Sequence, residues 1–129
     1  MKIMDKKSVI GISALLIHAA KIDEIYTEHE KDLIKDFIKS YLIKEDINKI
    51  LKEAEDMEKN SNQLLNFTNI IKKNPLDVKK DILEHLWKVV ISDNNVDQYE
   101  SNLMRRVCGL IYVPDKISAE IKLQLMDNK

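Results

Sequence analysis

Turn-forming residues are scarce in this chain: its 129 positions include only 2 Gly and 2 Pro. A strand-rich sandwich or barrel needs turn signals about every 8–12 residues, so that class is excluded and long helices on short loops are favoured. Cysteine occurs once. No disulfide framework can form within the chain, and the usage fits a reducing compartment. Neither charge sign dominates: 21 Lys and Arg face 22 Asp and Glu, for a formal net charge of −1. The basic bias of a general nucleic-acid binder is absent, and no nucleic-acid partner is expected. What is present is 44% hydrophobic and 33% charged residues. That composition supplies a core and is too apolar for a disordered chain. The length suits one domain spanning 1–129.

The longest apolar stretch, residues 9–20, follows Lys2, Lys6 and Lys7. It is short for a membrane span. As a signal peptide it would need cleavage at His18-Ala19-Ala20, with a His where a small residue belongs. The chain is therefore expected to be cytoplasmic, without stable membrane insertion, and this stretch to be a buried first helix.

Apolar residues recur at three- and four-residue spacing almost throughout. Residues 6–22 form the first predicted helix, through Val9, Ile12, Leu16, Ala19 and Ala20. Thr27-Glu28-His29-Glu30 is a capping box. It opens a second helix reaching about Tyr41. A third helix runs over 45–59, and Asn60-Ser61-Asn62 breaks it and caps the next. The fourth ends at Lys72-Lys73-Asn74, where the cations suit the helix dipole and Asn suits a left-handed exit. Pro75 fits the first turn of a fifth helix ending near Ser92. Asp97-Gln98-Tyr99-Glu100 caps a sixth through Leu110, and a last short helix follows Pro114 to about Leu125. The fold class is all-α: a single compact bundle of about seven helices.

Two segments align at an offset of 70: Leu16 with Leu86, Asp23 with Asp93, Glu30 with Glu100, Leu33 with Leu103. Each unit, about 8–41 and 76–112, is a helix, a short acidic loop and a capped helix. Two helical hairpins should face each other.

The acidic loops have two readings. Asp23 with Glu30, and Asp93 with Asp97 and Glu100, present oxygen ligands that suit calcium or magnesium. Asp93, Asn95 and Asp97 match the first three ligand positions of an EF-hand, but Gln98 and Met104 then replace its Gly and its bidentate Glu. Capping accounts for the same spacing without a ligand. His29-Glu30 begins like a zincin motif, yet Leu33 stands at the second His position. A site from His18, His29 and neighbouring acids is a further candidate, although scattered His without Cys pairs fit no zinc spacing. His85 falls at a helix edge. Cys108 reads as a core residue without an activating base. Trp87 is either a core anchor or an exposed contact. Arg105 and Arg106 are the only arginines; they are either a solvated pair or one of them pairs with Asp23 or Glu30. No phosphate loop or catalytic triad pattern is present, so no enzyme is expected.

Leu86-Trp87-Lys88-Val89-Val90-Ile91-Ser92-Asp93, then Val96-Asp97-Gln98-Tyr99-Glu100 and Leu103-Met104-Arg105-Arg106-Val107, resembles the TerB-like family of tellurite-resistance proteins. That family's pattern has an apolar helix, an Ala-Asp-Gly turn, an acidic pair ending in Glu, and a helix carrying Arg-Arg. Residues 19–30 resemble a weaker first copy, and the likeness covers 8–125. It implies an all-helical, non-catalytic domain linked to stress response, tellurite resistance and metal-ion sensing. The family also includes the N-terminal domain of a membrane-anchored co-chaperone of the DjlA type. Glu24 and Asn94 replace the glycines of the two turns. Asn adopts a left-handed turn readily and Glu at a cost.

The expected function is that of a protein-interaction module whose partner is unknown. Its contact surface would be the acidic loops and a groove between the hairpins. The alternative is a divalent-cation sensor, with Asp93, Asp97 and Glu100 as the stronger half and Asp23 and Glu30 as the weaker. The oligomeric state is not set by these patterns.

Overall fold

The first helix is apolar on every side, and a helix of that kind belongs inside a bundle. In the computed structural model, which describes residues 4–22, 26–91 and 98–127, α1 (Lys6–Ala20) is that central element. Ten of its 15 residues are buried. Asp5 caps it, accepting from the Ser8 amide at 2.7 Å. Hydrogen bonding from the Ser8 side chain, then from its amide, holds the Asp5 carboxyl below its ordinary range.

Around α1 lie α2 (Glu28–Tyr41), α3 (Ile47–Lys59), α4 (Leu65–Lys72) and α5 (Leu76–Val90), all packed directly against it. α6 (Gln98–Ile111) packs on α4, and α7 (Asp115–Asp127) packs on α5 and α6. The described residues contain seven helices and no strand. No helix among them is long and apolar enough to cross a membrane. The core joins Leu16, Ile34, Phe37, Ile82, Leu86 and Val107, each fully buried.

The helix bounds follow the 70-residue offset. Lys6–Ala20 matches Leu76–Val90, and Glu28–Tyr41 matches Gln98–Ile111. The C-terminal bonds match too: the Lys21 amide donates to Ile17 O and the Ile91 amide to Trp87 O. Burial keeps the same register, with Glu30 and Glu100 both sunk to under a tenth exposure.

Three local expectations need correction. Asn62 does not cap α4. Leu64 holds that position without a side-chain cap, while Ser61 Oγ accepts from Asn66 Nδ2 at 2.6 Å. Asn74 does not leave α4 left-handed, because its Nδ2 caps the helix directly by donating to the Ile70 and Ile71 carbonyls. Pro75 is the N-cap of α5, one position ahead of its first turn.

The left-handed exit lies instead at Tyr112, with φ of 62°. The Val113 amide donates to Cys108 O at 3.0 Å, the long bond of a Schellman ending. Val113 and Cys108, the positions whose side chains commonly meet in this ending, are both buried.

Candidate functional site

The capping box at the start of α2 is complete. The Glu30 amide donates to Thr27 Oγ1 at 3.1 Å, and Glu30 Oε1 accepts from the Thr27 amide at 2.8 Å. Thr27 Oγ1 also donates to that carboxylate oxygen at 3.0 Å. Glu30 is therefore a satisfied buried carboxylate, held by its own helix start. Glu100 is buried at the equivalent place in α6. Of the other candidate cation ligands, Asp23, Asp93 and Asp97 lie outside the described residues. Among the described residues no three His, Cys, Asp or Glu side chains come together as a metal site.

The first turn is strapped to α3. Lys21 Nζ reaches Glu58 Oε1 at 2.8 Å, and His18 Nδ1 lies 3.6 Å from the other oxygen. Tyr26 OH donates to Glu55 Oε2 at 3.0 Å. Burial, then that carboxylate, raises the Tyr26 pKa above its ordinary value. His18 is thus engaged with α3, while His29 is exposed. The two do not form a joint ligand set.

A second strut joins α2 to α5. Tyr41 OH donates to Asp81 Oδ2 at 2.6 Å. His85 Nδ1 lies 2.9 Å from Asp81 O, and its ring meets Phe37 edge-on at 5.2 Å. Burial, then the Asp81 carboxylate, raises the Tyr41 pKa. Trp87 is a core anchor, with Nε1 donating to Ser118 Oγ at 2.9 Å. Cys108 is buried, and desolvation pushes its thiol pKa up, away from a reactive thiolate.

Between the end of α1 and the start of α6 lies a hollow of about 670 Å³, lined by His18, Ile22, Tyr99, Asn102, Leu103 and Arg106. It is the groove between the two hairpins. α4 packs on both α1 and α6, and its Phe67 ring stands 6.4 Å from His18. A second hollow of about 500 Å³ continues along α6, with Leu64 and Leu65 of α4 facing Arg106, Gly109 and Leu110. Arg106 belongs to both, so one face of α6 runs through Tyr99, Asn102, Arg106 and Gly109. Tyr99 is 76% exposed and Leu65 46%.

Neither arginine has an ion-pair partner among the described residues. Glu30 is taken by its cap, and Asp23 lies outside the described set. Chemically, the groove offers apolar surface and one open guanidinium, a combination suited to binding a protein segment.

Of the groove residues, the sequence patterns singled out Arg106 and His18 for other roles. Tyr99, Asn102 and Gly109 were missed as a set. Their one sequence signal is an isolated glycine inside a strong helical pattern.

The family model described as tellurite resistance protein TerB matches residues 10–123 of the chain. Neither the curated proteins nor the solved structures yield a significant match.

Proposed function

Since the chain belongs to the tellurite resistance protein TerB family, we propose that it is a non-catalytic, cytoplasmic protein-binding module acting in a stress-response setting. Its contact surface is the groove between the hairpins. The observation that supports this reading is the groove itself: Ile22 and the exposed Tyr99 present apolar surface, with the buried Leu103 in its lining, beside Arg106, which has no ion-pair partner among the described residues. An open apolar cleft with one guanidinium resembles the core of a protein interface more than a solvated helix face.

Cation sensing by the acidic turns is the competing reading. Glu30 weakens it for the first turn, because its carboxylate already satisfies Thr27. Thermal melts with calcium, magnesium, manganese or zinc separate the two. A cation held by the folded state at 100 times its Kd adds about 2.7 kcal/mol. Under the interaction reading the melting temperature stays unchanged with every cation. Stabilisation that Asp93→Asn or Glu100→Gln abolishes would transfer the function to the turns.

A further inference from the structure

Among the described residues, nothing requires Gly109 to be glycine. It sits inside α6 with no positive φ, and no atom of the described residues lies within 4 Å of the Cβ it lacks. A helix-interior glycine destabilises its helix relative to alanine. Gly11, the other glycine, shows the contrast: the Ile70 side-chain end occupies the place of its Cβ. At Gly11 the close neighbour belongs to the chain itself. At Gly109 that place is open, on a face that already forms a groove.

Charge points the same way. The chain has 22 acidic residues, yet none lines either hollow along α6 among the described residues. Arg106 stands where the hollows meet, exposed and without an ion-pair partner among the described residues. The start of α4, at the second hollow, has no side-chain cap. Its dipole and the guanidinium both favour an anion there.

We propose that α6 receives an amphipathic α-helix of a partner protein, which crosses closely over Gly109 and sets a carboxylate on Arg106. The proposal rests on the groove being the binding surface and adds what fills it. The partner's apolar stripe covers Leu65, Leu110 and the Tyr99 ring. Close helix crossings use small residues because a Cβ would hold the backbones apart.

The test is a selection from a displayed library of amphipathic helices with their polar positions randomised. The probes are the selected peptides, and amide shifts of the protein map their site. The expected outcome is enrichment of Asp or Glu at one position and shifts centred on α6. Arg106→Glu should weaken the selected peptides about tenfold or more, and a Lys at the enriched position should restore binding to that variant. Gly109→Ala should bind more weakly while melting no lower than the parent, which excludes misfolding as the cause. Peptides that occupy the groove without an enriched acid, or that bind Gly109→Ala as tightly as the parent, overturn the acidic-helix proposal and leave the groove reading standing. A selection that yields no α6-directed binder overturns both.

Discussion

The two hairpins share helix lengths and register but not surroundings. α1 is enclosed by α2, α3, α4 and α5, and its following turn is strapped to α3 through Glu55 and Glu58. α6 packs on α4 and α7 and leaves a face open to solvent. The backbones of α1 and α2 also approach more closely than those of α5 and α6. The same plan of paired helices thus forms the centre of the bundle in one copy and leaves an open face in the other. The neighbours make this difference, since α3 and α4 cover the first unit from two sides.

The largest break in the comparison is expected at Phe37 and Val107, which occupy equivalent, fully buried positions. Phe37→Ala should cost about 3–5 kcal/mol, because the Tyr41 and His85 rings beside it cannot collapse into the space of a whole ring. Val107→Ala removes less volume and should cost clearly less. Chemical denaturation checks both, and equal losses would show that the two units are filled alike.

Next come the glycines, whose substitutions should differ in sign. Gly11→Val forces a branched side chain onto Ile70 and should cost about 1–3 kcal/mol through overpacking. Gly109→Ala should stabilise the free protein by about 0.5–1 kcal/mol. A Gly109→Ala variant with a lower denaturation midpoint would place a close neighbour at that site.

The caps sharpen the comparison further. Thr27→Ala should cost about 0.5–2 kcal/mol, with Glu30 losing its reciprocal partner. Asp97→Ala is expected from its sequence position to cost a similar amount. An unchanged midpoint for Asp97→Ala would leave the second helix start without the cap its sequence suggests.

The smallest effect concerns alkaline pH. The Tyr26 and Tyr41 pKa values are raised above the ordinary 10.0 by burial and by a facing carboxylate. Their contribution to stability is fully present below the ordinary tyrosine pKa and is lost as pH rises beyond it. Denaturation midpoints should therefore fall above about pH 10. Tyr26→Phe and Tyr41→Phe should each flatten that decline, and a slope unchanged in the double variant would assign it elsewhere.

Much of the fold is legible in the residues because helix formation is local. The spacing of Val9, Ile12 and Leu16, the Thr27–Glu30 box and the break at Pro114 place helix ends to within a few residues. Where the reading missed, the competing choice was also local but equal in kind. Asn74 can cap by its side chain or by a left-handed backbone, and the nearby Ile70 and Ile71 carbonyls favour the first. Tyr112 gave no such signal, because a bulky residue rarely accepts positive φ. The Val113 amide bond to Cys108 O and the burial of Val113 hold it there.

The candidate site is a different matter. The acidic pattern was visible because its residues lie close along the chain, and for Glu30 the structure resolves it into a cap. A groove between the hairpins was expected, but its lining was not legible, because Ile22 just after α1, Leu65 of α4 and Arg106 of α6 lie far apart in sequence. By itself, the sequence determined the helices and their order, which follow from short-range periodicity and capping motifs, the 70-residue repeat, which follows from matching positions, and the family, which its motifs resemble. Only the tertiary structure decided which copy is enclosed and which keeps an open face. Exposure depends on what packs against a helix, and no periodicity within the helix records its neighbours.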